Sequence, residues 1–133
     1  MPDKIKMETT PELLLALHQG KITNATTLER IATSDPSEYL RSVAVGHLTD
    51  HAVLERIATS DASPDVRMAA IWHLTNQMVL ERIATSDVSK YVRKNSVDRL
   101  TDHAVLERIA QADRELIVRR AAELRCKEIR TLN

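Results

Sequence analysis

The stretch LERIATSD fills residues 28–35, returns at 54–61 and again at 80–87, and its first five letters recur at 106–110. Each step is 26 residues. Self-similarity at one fixed period marks a repeat architecture, in which each unit buries its apolar face only by stacking on its neighbours. The second half of the unit repeats more loosely. Leu40-Arg41, Val66-Arg67, Val92-Arg93 and Val118-Arg119 share one register, and Leu48, Leu74 and Leu100 share another.

Each unit reads as two helices. In the second unit Asp50 is placed to cap the first helix by accepting orphan backbone N–H groups. Val53, Leu54, Ile57 and Ala58 then fall on one face at the 3.6-residue period. The run TSDAS stops that helix. Ser63 caps the next, with Pro64 at the first helical position, where the missing N–H costs nothing. Val66, Ala70 and Leu74 continue at i, i+4 and i+8, and Asp102 and Ser89 repeat the caps. Helices of about 10 residues are marginal alone in water, so each must bury its stripe against others. Thr10-Pro11 opens a short helix closed by Gly20, in the place of the second helix of a preceding unit. A longer helix, from about Arg114 to Thr131, carries Arg119, Arg120, Glu123, Arg125, Lys127, Glu128 and Arg130. The expected architecture is all-α with about nine helices in a single domain over 1–133. It divides into a tail and capping helix (1–21), tandem repeats (22–113) and a C-terminal capping helix (114–133).

Composition narrows the function. Apolar residues make up 43%, yet the only aromatic residues are Tyr39, Trp72 and Tyr91. The core is therefore built from Leu, Ile, Val and Ala. Lys plus Arg and Asp plus Glu number 19 each, which argues against a general nucleic-acid binder and against a protein held on anionic lipid. One cysteine, Cys126, forms no internal disulfide, and its register with Leu48, Leu74 and Leu100 predicts a buried apolar role. The apolar run at 13–17 is too short for a secretory or membrane-spanning segment, so a cytoplasmic protein is expected. No Gly-rich phosphate loop, paired metal-ligand motif or nucleophile elbow occurs. No cofactor, metal site or catalytic residue is expected.

The run Asp61-Ala62-Ser63-Pro64-Asp65-Val66-Arg67 resembles the HEAT-repeat signature, an inter-helix aspartate followed by Val-Arg on the second helix. The Asp-to-Arg spacing recurs at Asp35/Arg41, Asp87/Arg93 and Asp113/Arg119. In HEAT-like proteins these residues form a hydrogen-bonded ladder between adjacent repeats, and the resemblance implies that role here. It covers about residues 22–126. The short unit is also similar to the leucine-rich repeat variant family, which has comparable Asp-Pro-Ser/Asp-x-Val-Arg turns. The cysteines of that family's iron–sulfur module are missing. Both resemblances imply a right-handed α-solenoid, and neither implies one function.

Candidate binding residues come from a helical wheel of the second helix in each unit. Leu40, Ala44 and Leu48 point inward. The opposite positions are Tyr39, Ser42 and Gly46, then Asp65, Met68 and Trp72, then Tyr91, Lys94 and Asp98, then Ile117, Arg120 and Leu124. All three aromatics lie on this stripe. In HEAT-like solenoids the second helices line the concave surface, and repeats about 10 Å apart would set the rings along one ridge. Exposed rings of this kind serve as binding anchors; alternatively they fill the seams between second helices. The histidine pairs His47/His73 and His51/His103 repeat in register, but Arg99 and Gln77 interrupt them, and they read as turn and cap residues. Glu29-Arg30, Glu55-Arg56, Glu81-Arg82 and Glu107-Arg108 read as a solvated convex face. The apolar helix at 13–17 either mediates self-association or is covered by Ile5 and Met7.

The leading expectation is a non-catalytic adaptor that holds another protein or a peptide on the second-helix stripe. The alternatives are a nucleic-acid-binding helical-repeat protein, against which the mixture of Lys94 and Arg120 with Asp65 and Asp98 weighs, and an accessory protein or enzyme related to HEAT-like lyases.

Overall fold

The computed structural model describes residues 11–132. Among these residues there are nine α-helices and no strand: α1 (Pro11–His18), α2 (Ala25–Ser34), α3 (Glu38–Val45), α4 (His51–Ser60), α5 (Pro64–Ile71), α6 (Gln77–Ser86), α7 (Lys90–Val97), α8 (His103–Ala112) and α9 (Leu116–Leu132). The cap expected at Thr10 and the cover expected from Ile5 and Met7 lie outside the described residues. The chain falls into two compact units, Met1–His73 and Leu74–Asn133.

In the first unit α2 packs on α3 and α4 on α5, while α3 joins the two pairs and also takes α1. In the second unit α6 packs on α7 and α8 on α9, with α7 against α9. Packing of consecutive two-helix pairs is what the 26-residue period predicts.

Local chemistry sets the boundaries. Asn24, Asp50, Asn76 and Asp102 cap the first helix of each pair, each accepting backbone N–H groups from the first turn. Ser37, Ser63 and Ser89 cap α3, α5 and α7. Each such cap stabilises its helix by about 1 kcal/mol relative to alanine. The aspartate at the end of the first helix reverses the chain. Asp61 N–H donates to the Ile57 carbonyl at 3.0 Å, and Asp61 Oδ1 then accepts from Ser63 N–H at 2.9 Å. Asp35, Asp87 and Asp113 make the same Asx turn. Asp113 Oδ1 takes the Glu115 N–H, so residues 113–115 are a turn and α9 begins at Leu116, later than the expected start at Arg114.

The second helices are α-helical in their bodies. Their last turns tighten to i→i−3 bonds, as in His47 to Ala44, His73 to Ala70 and Arg99 to Ser96. The α1 helix ends in a Schellman motif: Gly20 takes φ +68°, Lys21 N–H donates to the Ala16 carbonyl at 2.9 Å, and Gly20 N–H donates to that of Leu17 at 3.1 Å.

The core follows the repeat register. Leu28, Leu54, Leu80 and Leu106 are all buried, as are Ile31, Ile57, Ile83 and Ile109. Each such side chain contributes roughly 1.5–3 kcal/mol relative to exposure. Ala44 and Ala70 share one register of the second helices, both fully buried. Ser96 occupies the same register in α7, also fully buried, and its hydroxyl has no partner among the described residues. At the register of buried Val45, Ile71 and Val97, helix α9 places the exposed Glu123. No described helix is long and apolar enough to cross a membrane.

Candidate functional site

The register that buries Leu40, Val66, Val92 and Val118 turns the preceding residue of each second helix to solvent. In the first unit Tyr39 is 56% exposed and Trp72 66%, with Asp65 and Gly46 exposed alongside. Ser42 and Met68 are half-buried rather than fully outward, and Lys94 is half-buried in the second unit. A wheel drawn for an isolated helix omits everything packed around it, so it overstates the exposure of these three residues, whereas Arg120 is exposed as the wheel implies. Gly46, Trp72 and Asp98 are C-cap residues with right-handed helical backbone, so the spiral carries them onto the same face although each helix body has ended.

Tyr39 is tethered. Its hydroxyl lies 3.3 Å from His18 Nε2, and the two rings sit 6.2 Å apart at 50°. It therefore spans the α1–α3 seam while keeping half its surface wet. In the second unit Tyr91 is 54% exposed, with Lys90 Nζ 5.5 Å from its ring centroid. Lys94 Nζ pairs with Asp98 Oδ2 at 2.8 Å, so these two stripe charges neutralise one another. Ile117, Leu124 and Arg120 are exposed on α9.

The aspartate–arginine residues lie at the turns, away from the stripe. In the first unit Arg41 donates from Nε to Asp61 Oδ2 and from Nη2 to Asp61 Oδ1, each at 3.1 Å, and from Nη1 to the Asp35 carbonyl at 2.8 Å. In the second unit Arg93 grips Asp113 in the same way, Nε to Oδ2 at 2.9 Å and Nη2 to Oδ1 at 3.1 Å, with Nη1 on the Asp87 carbonyl at 2.8 Å. Arg67 Nη1 donates to the Asp61 carbonyl at 2.7 Å. Asp35 is 2% exposed and accepts from its own Ser37 N–H. Arg119 donates to the Asp113 carbonyl, and its fork meets no carboxylate among the described residues. Burial alone would raise the Asp113 carboxyl. The Arg93 hydrogen bond, the Glu115 N–H and the charges of Arg93 and Arg114 outweigh it and hold the group below its ordinary value.

Several struts were not legible from spacing. Gln77, which interrupts the histidine register, donates from Nε2 to the Arg99 carbonyl at 3.1 Å and accepts from Thr101 N–H at 3.0 Å. Arg125 Nε donates to the Leu100 carbonyl at 2.9 Å, as Arg99 Nη2 does to that of Leu74. Repetition of arginine at this register was the available signal. The Glu-Arg pairs are not merely solvated: Glu29 meets Arg56 at 3.2 Å, and Glu81 meets Arg108 at 3.1 Å. Exposed pairs of this kind are worth about 0–1 kcal/mol.

An open groove of about 470 Å³ in the first unit runs past Asp35, Arg41, Arg56 and Asp61. Arg41, Arg56 and Asp61 are already paired, so it forms the outer rim of the ladder. Among the described residues no three His, Cys, Asp or Glu side chains converge. Cys126 is buried; burial first, and then the Glu107 charge, push its thiol up despite the opposing Arg130. A thiol held protonated is a poor nucleophile. No family model, curated protein or solved structure matches the chain.

Proposed function

We propose that the chain is a non-catalytic protein-interaction module of HEAT-like character, whose repeats continue into one right-handed α-solenoid. Its second-helix stripe holds a peptide or a partner helix. The observation that carries this reading is the contrast within each repeat. Positions that face the core keep mostly Leu, Ile, Val and Ala, whereas the outward positions vary in chemistry along the repeats and leave Tyr39, Trp72 and Tyr91 more than half exposed. Large rings left wet on a rigid helical face are the residues that most often anchor a partner. A cytoplasmic location accords with the single cysteine.

The test is affinity capture from the native lysate, comparing the wild type with a Tyr39→Ala, Trp72→Ala, Tyr91→Ala variant of matched helicity. The reading expects a partner held by the wild type and lost by the variant. Identical partner lists would remove the stripe as a binding face.

A nucleic-acid reading keeps one specific observation in its favour. Residues 74–133 carry twelve Lys and Arg against nine Asp and Glu, whereas residues 1–73 carry seven against ten. Binding to an oligonucleotide that weakens steeply with salt would support it.

A further inference from the structure

We propose that Arg119 is a preformed receptor for a carboxylate displayed on a turn of a partner protein. The chain's own repeats show what such an arginine binds. In Arg41 and Arg93 one nitrogen, Nη1, is held at 2.8 Å by the carbonyl of the repeat's own aspartate. The remaining edge, Nε with Nη2, then closes in a bidentate grip on the next turn's aspartate at 2.9–3.1 Å. Arg119 is set in the same way, with Nη1 on the Asp113 carbonyl at 2.8 Å. Its other edge has no carboxylate among the described residues, because α9 continues as helix to Leu132 through the register at which α7 has already turned.

The anchoring bond matters for affinity. A half-buried arginine already fixed at one nitrogen loses less freedom when it takes a ligand than a mobile surface arginine does. The surroundings define the rest of the ligand. Leu116 is half exposed, and Ala110 is half-buried where Ala32, Ala58 and Ala84 are fully covered. These residues take an apolar neighbour of the incoming carboxylate. Glu123 stands at the register of buried Val45, Ile71 and Val97 and calls for a basic or polar partner residue. A repeat with Val or Ile at that contact would strip water from Glu123 without replacing it.

A second copy of this chain fits poorly. The ladder aspartate it would offer, Asp35, is nearly inaccessible and folded onto its own turn. The occupant is instead an acidic turn of another protein, with Asp or Glu beside an apolar residue and a basic residue nearby. This site is separate from the outward stripe, and neither depends on the other.

The probe is a peptide with the sequence of residues 59–67, TSDASPDVR, which contains the turn aspartate that Arg41 grips. It is titrated into the full chain while the Arg119 side-chain Nε–H resonance is followed by NMR. The proposal expects a saturable shift at Arg119, absent for the peptide carrying Asp61→Asn. It also expects a dissociation constant raised about tenfold or more in an Arg119→Lys chain of unchanged melting temperature, since lysine keeps the charge and loses the fork. The proposal is overturned by any of three results: no shift through the millimolar range, equal binding by the Arg119→Lys chain, or displacement of the peptide by a short single-stranded oligonucleotide that binds more tightly.

Discussion

The turns and the outward stripe belong to the same short helices, yet they behave differently. At the turns the repeats are copies. Arg41 and Arg93 reach the same atoms at distances agreeing within 0.2 Å, although they lie in different units. On the stripe the repeats differ: Tyr39, Asp65, Tyr91 and Ile117 share one register, with only the two tyrosines alike, and Gly46, Trp72, Asp98 and Leu124 another. The difference teaches that stacking is carried by the buried register and the ladder. The stripe positions are more exposed than the buried register, so packing constrains their chemistry less.

The largest blow to this contrast should come from the ladder. Arg93 is 1% exposed, and Arg93→Ala leaves the Asp113 carboxylate buried without its partner. A loss of about 3–5 kcal/mol in urea unfolding is expected. The same pair predicts a pH dependence. Because the folded Asp113 carboxyl lies below its ordinary value of 3.8, its contribution is present above that pH and fades as the pH falls toward the lower folded value. Arg93→Ala should flatten this acid-side loss, and an unchanged profile would detach it from Asp113.

Core truncation comes next. Leu54→Ala in the first unit and Leu80→Ala in the second should each cost roughly 2–5 kcal/mol, read from the shift in the denaturation midpoint. Little change in either would show that the core register is misassigned.

A smaller effect of opposite sign sharpens the contrast. Ser96→Ala removes a buried hydroxyl without a partner and restores the alanine found at Ala44, Ala70 and Ala122. It should raise stability by about 1 kcal/mol. A loss would mean that the hydroxyl finds a partner in solution.

The helices, their pairing and most of their caps were legible because they rest on short-range chemistry: a cap, a period and an aspartate at a fixed spacing. Asp50, Ser63, Ser89 and Asp102 all cap as their positions imply. The reading faltered where a side chain answers to another helix or to a loop. The half-burial of Ser42, Met68 and Lys94 depends on the surroundings of each helix, which a single wheel omits. The strut made by Gln77 depends on where the Arg99 carbonyl comes to rest, and no spacing encodes that. The tether from Tyr39 to His18 joins α3 to a helix outside the repeat pattern. The start of α9 at Leu116 follows from the Asx turn, which spends the Glu115 N–H as it spends those of Ser37, Ser63 and Ser89, so all four second helices begin three residues after their aspartate.

The most direct test of the central claim is urea unfolding of the Tyr39→Ala, Trp72→Ala, Tyr91→Ala variant beside the wild type. Substitutions of exposed side chains outside the core usually change stability by about 0.5 kcal/mol or less each. The account therefore predicts nearly coincident transitions, with a small deficit from the surface contacts of the rings, such as Tyr39 with His18 and Tyr91 with Lys90. A loss of several kcal/mol would contradict it, placing the three rings among the residues that hold the helices together.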